Sequence, residues 1–231
     1  MLTKRLEMIL ESVSPTDCVW DMGCDHGYLA VALVTSGKVK RVIASDISGP
    51  SLEKAKTLIE KSHLTDKVSC RLGDGFDVIS PGEINTAVMA GIGGHLIAEK
   101  IDALSTIDYR IEAFVLQPMN RGDLVRHTLE AGGYAIISER VVREDNHFYQ
   151  IIKAIRGKMR IDNPLDYTIG FSPARHADED FEAFILSLID KEKEILQNVN
   201  QHTTDGAVAR RVRSERTIKQ LTEVIGHAYQ S

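Results

Sequence analysis

Cysteine is scarce in this chain. The three present, Cys18, Cys24 and Cys70, form no CxxC pair. That spacing gives no basis for a zinc site or a disulfide framework and suits a reducing compartment. Long apolar runs are missing too: nothing approaches the ~18–20 consecutive apolar residues that span a bilayer. The opening MLTKRLEMILESV carries charges throughout, so it reads as an amphipathic helix rather than a secretion signal. An excess of positive charge is also absent. The net charge of −5 excludes a general nucleic-acid coat, although a local basic patch can act where net charge does not show it. There is no internal repeat and no low-complexity segment. The expectation is a soluble cytoplasmic protein with no metal, no membrane association and no obligate protein partner; the sequence does not fix its oligomeric state.

What is present is an ordinary globular composition, 43% hydrophobic and 26% charged over 231 residues. That suffices for one sizeable domain and a smaller appendage. From Cys18 to about Gly157, short apolar runs alternate with helical patterns. Strands are expected at Cys18-Val19-Trp20, Arg41 to Ser45, Val68 to Leu72, Ala87 to Ala90 and Ala113 to Gln117. Helices are expected over Tyr28–Thr35, Ser51–Ser62, His95–Leu104 and Asp123–Ala131, the last stopped by Gly132-Gly133. Tyr134–Val142 and Phe148–Ile155 read as a closing antiparallel pair. This alternation implies a mainly parallel sheet covered on both faces. After Gly157 the pattern changes. Residues 158–180 read as a connector, and Phe181–Val199 and Gly206–Tyr229 as two long amphipathic helices in a coiled-coil-like appendage. The expected domains are therefore 1–157 and 158–231.

The loop after the first strand reads Asp21-Met22-Gly23-Cys24-Asp25-His26-Gly27. Glycines let the backbone approach a ligand, and the following helix offers unpaired N–H groups. The run is acidic-x-Gly-x-Asp-x-Gly, with Asp25 where a dinucleotide-binding loop carries glycine. A carboxylate there would repel a pyrophosphate. S-Adenosyl-L-methionine (AdoMet) has no phosphate and carries an ammonium and a sulfonium, so it suits the acidic loop; NAD(P) or a phosphate is the lesser alternative, which Asp25 disfavours. Asp46 ends the second strand and is placed to accept from ribose hydroxyls. Asp74, after the third strand, is placed to accept from the adenine amino group. Strand C-termini are where such sheets bind ligands. Asp21, Gly23, Cys24, Gly27, Asp46, Ile47, Asp74, Gly75, Ala90 and Gly91 are the expected cofactor contacts. Taken singly, Asp46 or Asp74 could as well be a turn residue or helix cap.

The segments DMGCDHGYLA, MAGIGGHLIAEKI and LQPMNR, with the late strand HFYQII, resemble the TrmK family of bacterial tRNA adenine-N1 methyltransferases, which modify adenosine at position 22 of tRNA. The resemblance runs from Lys4 to about Ala154. It implies a class I methyltransferase, Rossmann-like α/β domain, AdoMet as cofactor, tRNA as partner and a C-terminal coiled-coil domain. The family's QPN occurs here as Gln117-Pro118-Met119-Asn120, and Cys24 and Gly27 stand where serine and alanine are common.

Adenine N1 has an in-plane lone pair and no proton, so it needs alignment with the methyl group more than a base. It also lies on the Watson–Crick edge, so the adenine must be unpaired and flipped into a pocket. Asp25, His26, Tyr28 and Asn120 are the candidate catalytic residues; His26 and Tyr28 could equally cap or pack beneath a helix. Gly93 and Gly94 would give a base room, in place of an Asn/Asp-Pro-Pro-aromatic motif. His95 reads as structural or a surface contact, and Cys24 as a small loop residue. For RNA phosphates the candidates are Arg121, Arg210, Arg211 and Arg213, with Arg216 and Lys219 on the same helix and Arg126, Arg140 and Arg143 nearer the ligand face. The alternatives are a small-molecule methyltransferase, a non-catalytic RNA-binding protein retaining the fold, and an NAD(P) oxidoreductase, which Asp25 disfavours.

Overall fold

Each short apolar run becomes a strand of one seven-stranded sheet. The strands β1 (Thr16–Met22), β2 (Val39–Asp46), β3 (Val68–Leu72), β4 (Thr86–Ile92) and β5 (Ala113–Pro118) are parallel. The pair β6 (Tyr134–Glu144) and β7 (His147–Arg156) closes the sheet, β7 running antiparallel to both β5 and β6. The order is β3-β2-β1-β4-β5-β7-β6. It reverses between β1 and β4, and the loops leaving those two strands diverge to open a crevice at their C-terminal ends. The computed structural model describes residues 2–105, 109–199 and 204–228. These fall into two compact units, Met1–Arg175 and His176–Ser231.

Successive strand residues face opposite sides of a sheet, and the core divides accordingly. Val19, Val42, Val88, Val115 and Ile151 pack on one side with Ile9, Leu33 and Leu52. Those last three belong to α1 (Lys4–Ser12), α2 (Tyr28–Thr35) and α3 (Gly49–Lys61). Trp20, Ile43, Met89, Leu116 and Ile152 face the other side with Ile97 and Leu129. These two come from α4 (Gly94–Ala103) and α5 (Gly122–Ala131). Helices therefore cover both faces, as the strand–helix alternation requires.

β1 and β4 run further than their apolar residues suggest. Asp21 and Met22 stay in register with Ala44 and Ser45 on one side and with Val88 and Met89 on the other. A buried acidic residue is thus held inside the strand rather than marking its end.

The stretch after Gly157 is not the connector its prolines suggest. Pro164 opens a short helix, α6 (Pro164–Ile169), capped by Asn163, whose side chain accepts from Leu165 N at 3.1 Å. A 3₁₀ turn follows at Ser172–Ala174. Arg126 on α5 donates to both Glu139 oxygens on β6, at 2.8 and 3.2 Å, and to the Tyr167 carbonyl at 2.9 Å. The same Glu139 carboxylate accepts from Phe171 N at 2.9 Å. The Tyr167 hydroxyl donates to Glu130, and its ring stacks on His127 with centroids 3.5 Å apart. These contacts bind residues up to Arg175 into the first unit, so the boundary lies after Arg175 and not after Gly157. They also correct the reading of Arg126: at 1% exposure it is a buried ion-pair partner, not a phosphate contact.

The second unit is the expected helical pair, α7 (Glu179–Val199) packed on α8 (Asp205–Ala228). Phe181, Ile185, Ile189 and Leu221 are buried. Tyr229, the expected end of the last helix, lies outside the described residues.

Candidate active site

The crevice between β1 and β4 widens into a cleft of about 550 Å³, within the range of small-molecule sites. Its wall begins with the loop after β1. Gly23, Asp25 and Gly27 all have positive φ, at 76°, 47° and 75°. The resulting turn is held by Ser45 O, which accepts from Gly23 N at 2.9 Å and Cys24 N at 3.0 Å. Gly27 then starts α2, where a Cβ would lie 3.0 Å from that of Ala55. Its hydrogen is needed for close helix packing, and Gly27 faces α3 rather than the cleft.

Four carboxylates line this cleft: Asp21, Asp25, Asp46 and Asp74. Asp21 is only 3% exposed, and its Oδ2 finds no hydrogen-bond partner among the described residues. Burial, and secondarily the nearby Asp46 carboxylate, push Asp21 up to about 7. Asp46 is tied into the backbone, accepting from Asp25 N at 3.1 Å and Ser48 N at 2.8 Å. Two oxygens held this way leave lone pairs free for a ligand's hydroxyls. Buried Cys24 is pushed well above the usual thiol range by desolvation first and then by Asp21 and Asp46. It is therefore a protonated packing residue, as its place in the loop implies.

The structure gathers most of the expected residues here. Gly23, Cys24, Ile47, Gly75, Ala90 and Gly91 line the same cleft as the carboxylates, with His26 and Tyr28 on its wall. His26 Nε2 lies 3.2 Å from Lys54 Nζ and 3.6 Å from Asp25 Oδ1, and its ring meets Tyr28 edge-on. Tyr28 is half-exposed, so one side of its ring is open to a partner.

Other expectations fall outside the cleft. Asn120 does not line it; its Oδ1 accepts from Gly94 N at 3.2 Å and ties two loops together. The residue facing the cleft after Pro118 is Met119. Gly93 and Gly94 do not line the cleft. Gly94 is packed tightly, since a Cβ there would lie 2.7 Å from Arg121 O, whereas one on Gly93 would meet nothing nearer than Asn120 Oδ1 at 3.7 Å. Arg121 itself lies outside, its guanidinium paired with Asp123 at 3.0 and 3.1 Å and 3.1 Å from His95 Nε2. In the second unit Arg210 is engaged with Glu192 and with Ser214 Oγ, at 3.0 and 2.8 Å, and Arg211 is half-buried. Arg213, Arg216 and Lys219 are exposed.

Sequence reading missed Arg5. It is the one arginine or lysine lining the cleft among the described residues. Its Nη1 donates to Gln117 Oε1 at 3.0 Å, and the same oxygen accepts from Gly91 N at 3.1 Å. Its guanidinium also sits 5.0 Å from the centroid of the Tyr149 ring. The available signal was Gln117, a polar residue at a buried strand end that needs partners from elsewhere.

Comparison with known proteins points one way. The model of a methyltransferase domain matches residues 2–152. The tRNA (adenine(22)-N(1))-methyltransferase of Bacillus subtilis is 35% identical over 156 residues. That alignment spans 68% of this chain and 66% of the relative, just under two thirds of its length. Among solved structures, the B. subtilis tRNA methyltransferase TrmK superposes with a TM-score of 0.84 at 27% identity, covering 97% of this chain and 99% of that one. A Streptococcus pneumoniae protein in complex with S-adenosyl-L-methionine gives 0.83 at 26% identity, with 97% and 99% covered.

Proposed function

This chain belongs to the methyltransferase-domain family, and within it to the TrmK group, and on that premise we propose that it transfers a methyl group from AdoMet to N1 of an adenine in tRNA. The observation that carries the reading is Asp21. A buried carboxylate with an unpartnered oxygen, in a cleft with three more carboxylates, suits a cationic ligand and repels a phosphate. AdoMet has an ammonium and a sulfonium to meet that charge and one carboxylate, for which Arg5 is the available cation. Asp46 fits the ribose hydroxyls, Asp74 the adenine amino group, and Ala90 and Gly91 the reacting end.

Bound there, AdoMet would supply an electrophilic methyl group on a sulfonium. The chain's own work is then alignment. N1 needs no proton removed, so Asp25 and His26 are suited to hold the adenine edge or offset its developing positive charge rather than to act as a strong base. Tyr28 and Met119, both half-exposed on the cleft wall, offer apolar surface for a flipped base. The direct test is methyl transfer from labelled AdoMet to unmodified bulk tRNA. Labelled RNA supports the reading; label only in small metabolites, or none, refutes it.

Asp21 makes cofactor binding pH-dependent. Unfolded, its carboxyl titrates near ~3.9; folded, it is raised to about 7. The native state therefore binds the extra proton, and Asp21 costs stability progressively from about pH 4 to about pH 7. A cation beside it favours the ionised form. AdoMet affinity should rise roughly tenfold between about pH 5.5 and 7, below the range where an α-amino group titrates. Calorimetry across this range checks it. Asp21→Asn should flatten the profile; a dependence that survives the substitution would show that Asp21 is not its source.

On α8, Arg213, Arg216 and Lys219 are exposed and can meet RNA phosphates, while Arg210 pairs with Glu192 of α7. Replacing those three with alanine should weaken tRNA binding about tenfold and reduce the slope of log affinity against log salt by roughly 2 to 3. Filter binding at several salt concentrations measures this, and an unchanged slope would place the RNA elsewhere.

A further inference from the structure

The turn after β3, Gly73-Asp74-Gly75, is built around a lysine from another element. Lys100 lies in the last turn of α4, and its side chain is only 11% exposed. Lysines are seldom so covered unless paired. Its Nζ lies 3.2 Å from Asp74 Oδ1 and 3.3 Å from Glu99 Oε1. Its stem runs hard against Gly75, where a Cβ would lie 2.8 Å from Lys100 Cε and 2.9 Å from Nζ. Gly75 has φ +53° and lines the cleft. A side chain there would push the ammonium aside, so Gly75 leaves open the space that Lys100 occupies.

We propose that Lys100 is a positioning residue that sets the cleft's selectivity for a 6-aminopurine cofactor, acting through Asp74. The proposal rests on the reading that Asp74 accepts from the adenine amino group. An exposed carboxylate on a glycine-flanked turn can rotate among several orientations. Pairing one oxygen with a nearly buried ammonium restrains that oxygen, narrows the carboxylate's rotation and leaves the second oxygen as the acceptor. A 6-amino group donates to that oxygen. A 6-oxo group presents another acceptor and is repelled. Fixing the acceptor therefore sharpens discrimination between the two, because a mobile carboxylate could turn away from the wrong group at little cost.

The test is calorimetric binding of S-adenosylhomocysteine and its 6-oxo counterpart S-inosylhomocysteine, with no turnover required. Lys100→Met should weaken the amino ligand about fivefold and leave the oxo ligand within about twofold, and Lys100→Arg should restore much of the preference. Should Lys100→Met fail to fold, Lys100→Gln removes the charge with a smaller change, and the same loss of preference is expected. Equal weakening of both ligands, or no change in either, overturns the proposal. Asp74→Asn separates this from the parent reading. Lost preference in Asp74→Asn but not at Lys100 sinks the role of Lys100 alone. Preference intact in Asp74→Asn sinks the assignment of Asp74 to the amino group, and the proposal with it.

Discussion

Asp46→Ala should weaken AdoMet binding by about 10²- to 10³-fold, measured by calorimetry, while the chain stays folded. Hydrogen bonds from a ribose diol to a carboxylate are each worth about 1.5–3 kcal/mol, and two of them account for a loss of that size. The carboxylate also holds the loop, through Asp25 N and Ser48 N, so its removal frees the turn that carries Asp25 and His26. Asp46→Asn keeps one acceptor but loses the charge and should fall between the two. A change of less than about threefold in Asp46→Ala would mean that the ribose does not lie at the end of β2.

The largest effect on stability is expected away from the cleft. Arg126 and Glu139 are 1% and 4% exposed, and neither lines the cleft. Removing one partner strands a buried charge, which costs about 3–5 kcal/mol. For a chain of this size that lowers the midpoint of thermal unfolding of the first unit by roughly 6–20 °C. Glu139→Ala should do more harm than Glu139→Gln, because the amide oxygen can still accept from Phe171 N or from Arg126. Replacing both partners, Arg126→Met with Glu139→Leu, should recover part of the loss but not all. The Phe171 N–H and the Tyr167 carbonyl would then lack their present partners. A melting point unchanged in Glu139→Ala would contradict the pair's structural role.

The places of Asp46 and Asp74 at the cleft were legible because strand ends are local features: a short run closed within two residues by an aspartate, with serine or glycine within two residues after it. β3 falls at Val68–Leu72, the residues its pattern implies. β1 was read too short for the same reason, since Asp21 looked like a terminator and is instead a buried strand residue between β2 and β4. Residues 158–175 were misread because Asn163-Pro164 and Ser172-Pro173 look like breakers. Their anchoring is partly polar, through Arg126, Glu139 and Asp166, which accepts from Ser172 N at 3.0 Å and lies 3.6 Å from Arg175. It is also partly through scattered buried residues such as Ile161 and Ile169, which form no regular apolar period. Asn120 was assigned by its place in a motif; the backbone turns Met119, not Asn120, toward the cleft. Arg5 could not be found from local pattern, because it reaches Gln117 and Gly91 only once α1 has packed across the sheet.

The central claim is methyl transfer to N1 of a tRNA adenine in a cleft built for a cation. The most direct test incubates the chain with AdoMet and an unmodified tRNA carrying adenine at position 22, the site named for the B. subtilis relative. The RNA is then copied by reverse transcriptase and digested to nucleosides. A methyl group on N1 blocks the pairing edge. The account predicts an AdoMet-dependent stop at that adenine, 1-methyladenosine in the digest, and loss of both in Asp46→Ala. Full-length copies, or 6-methyladenosine in place of 1-methyladenosine, would contradict it.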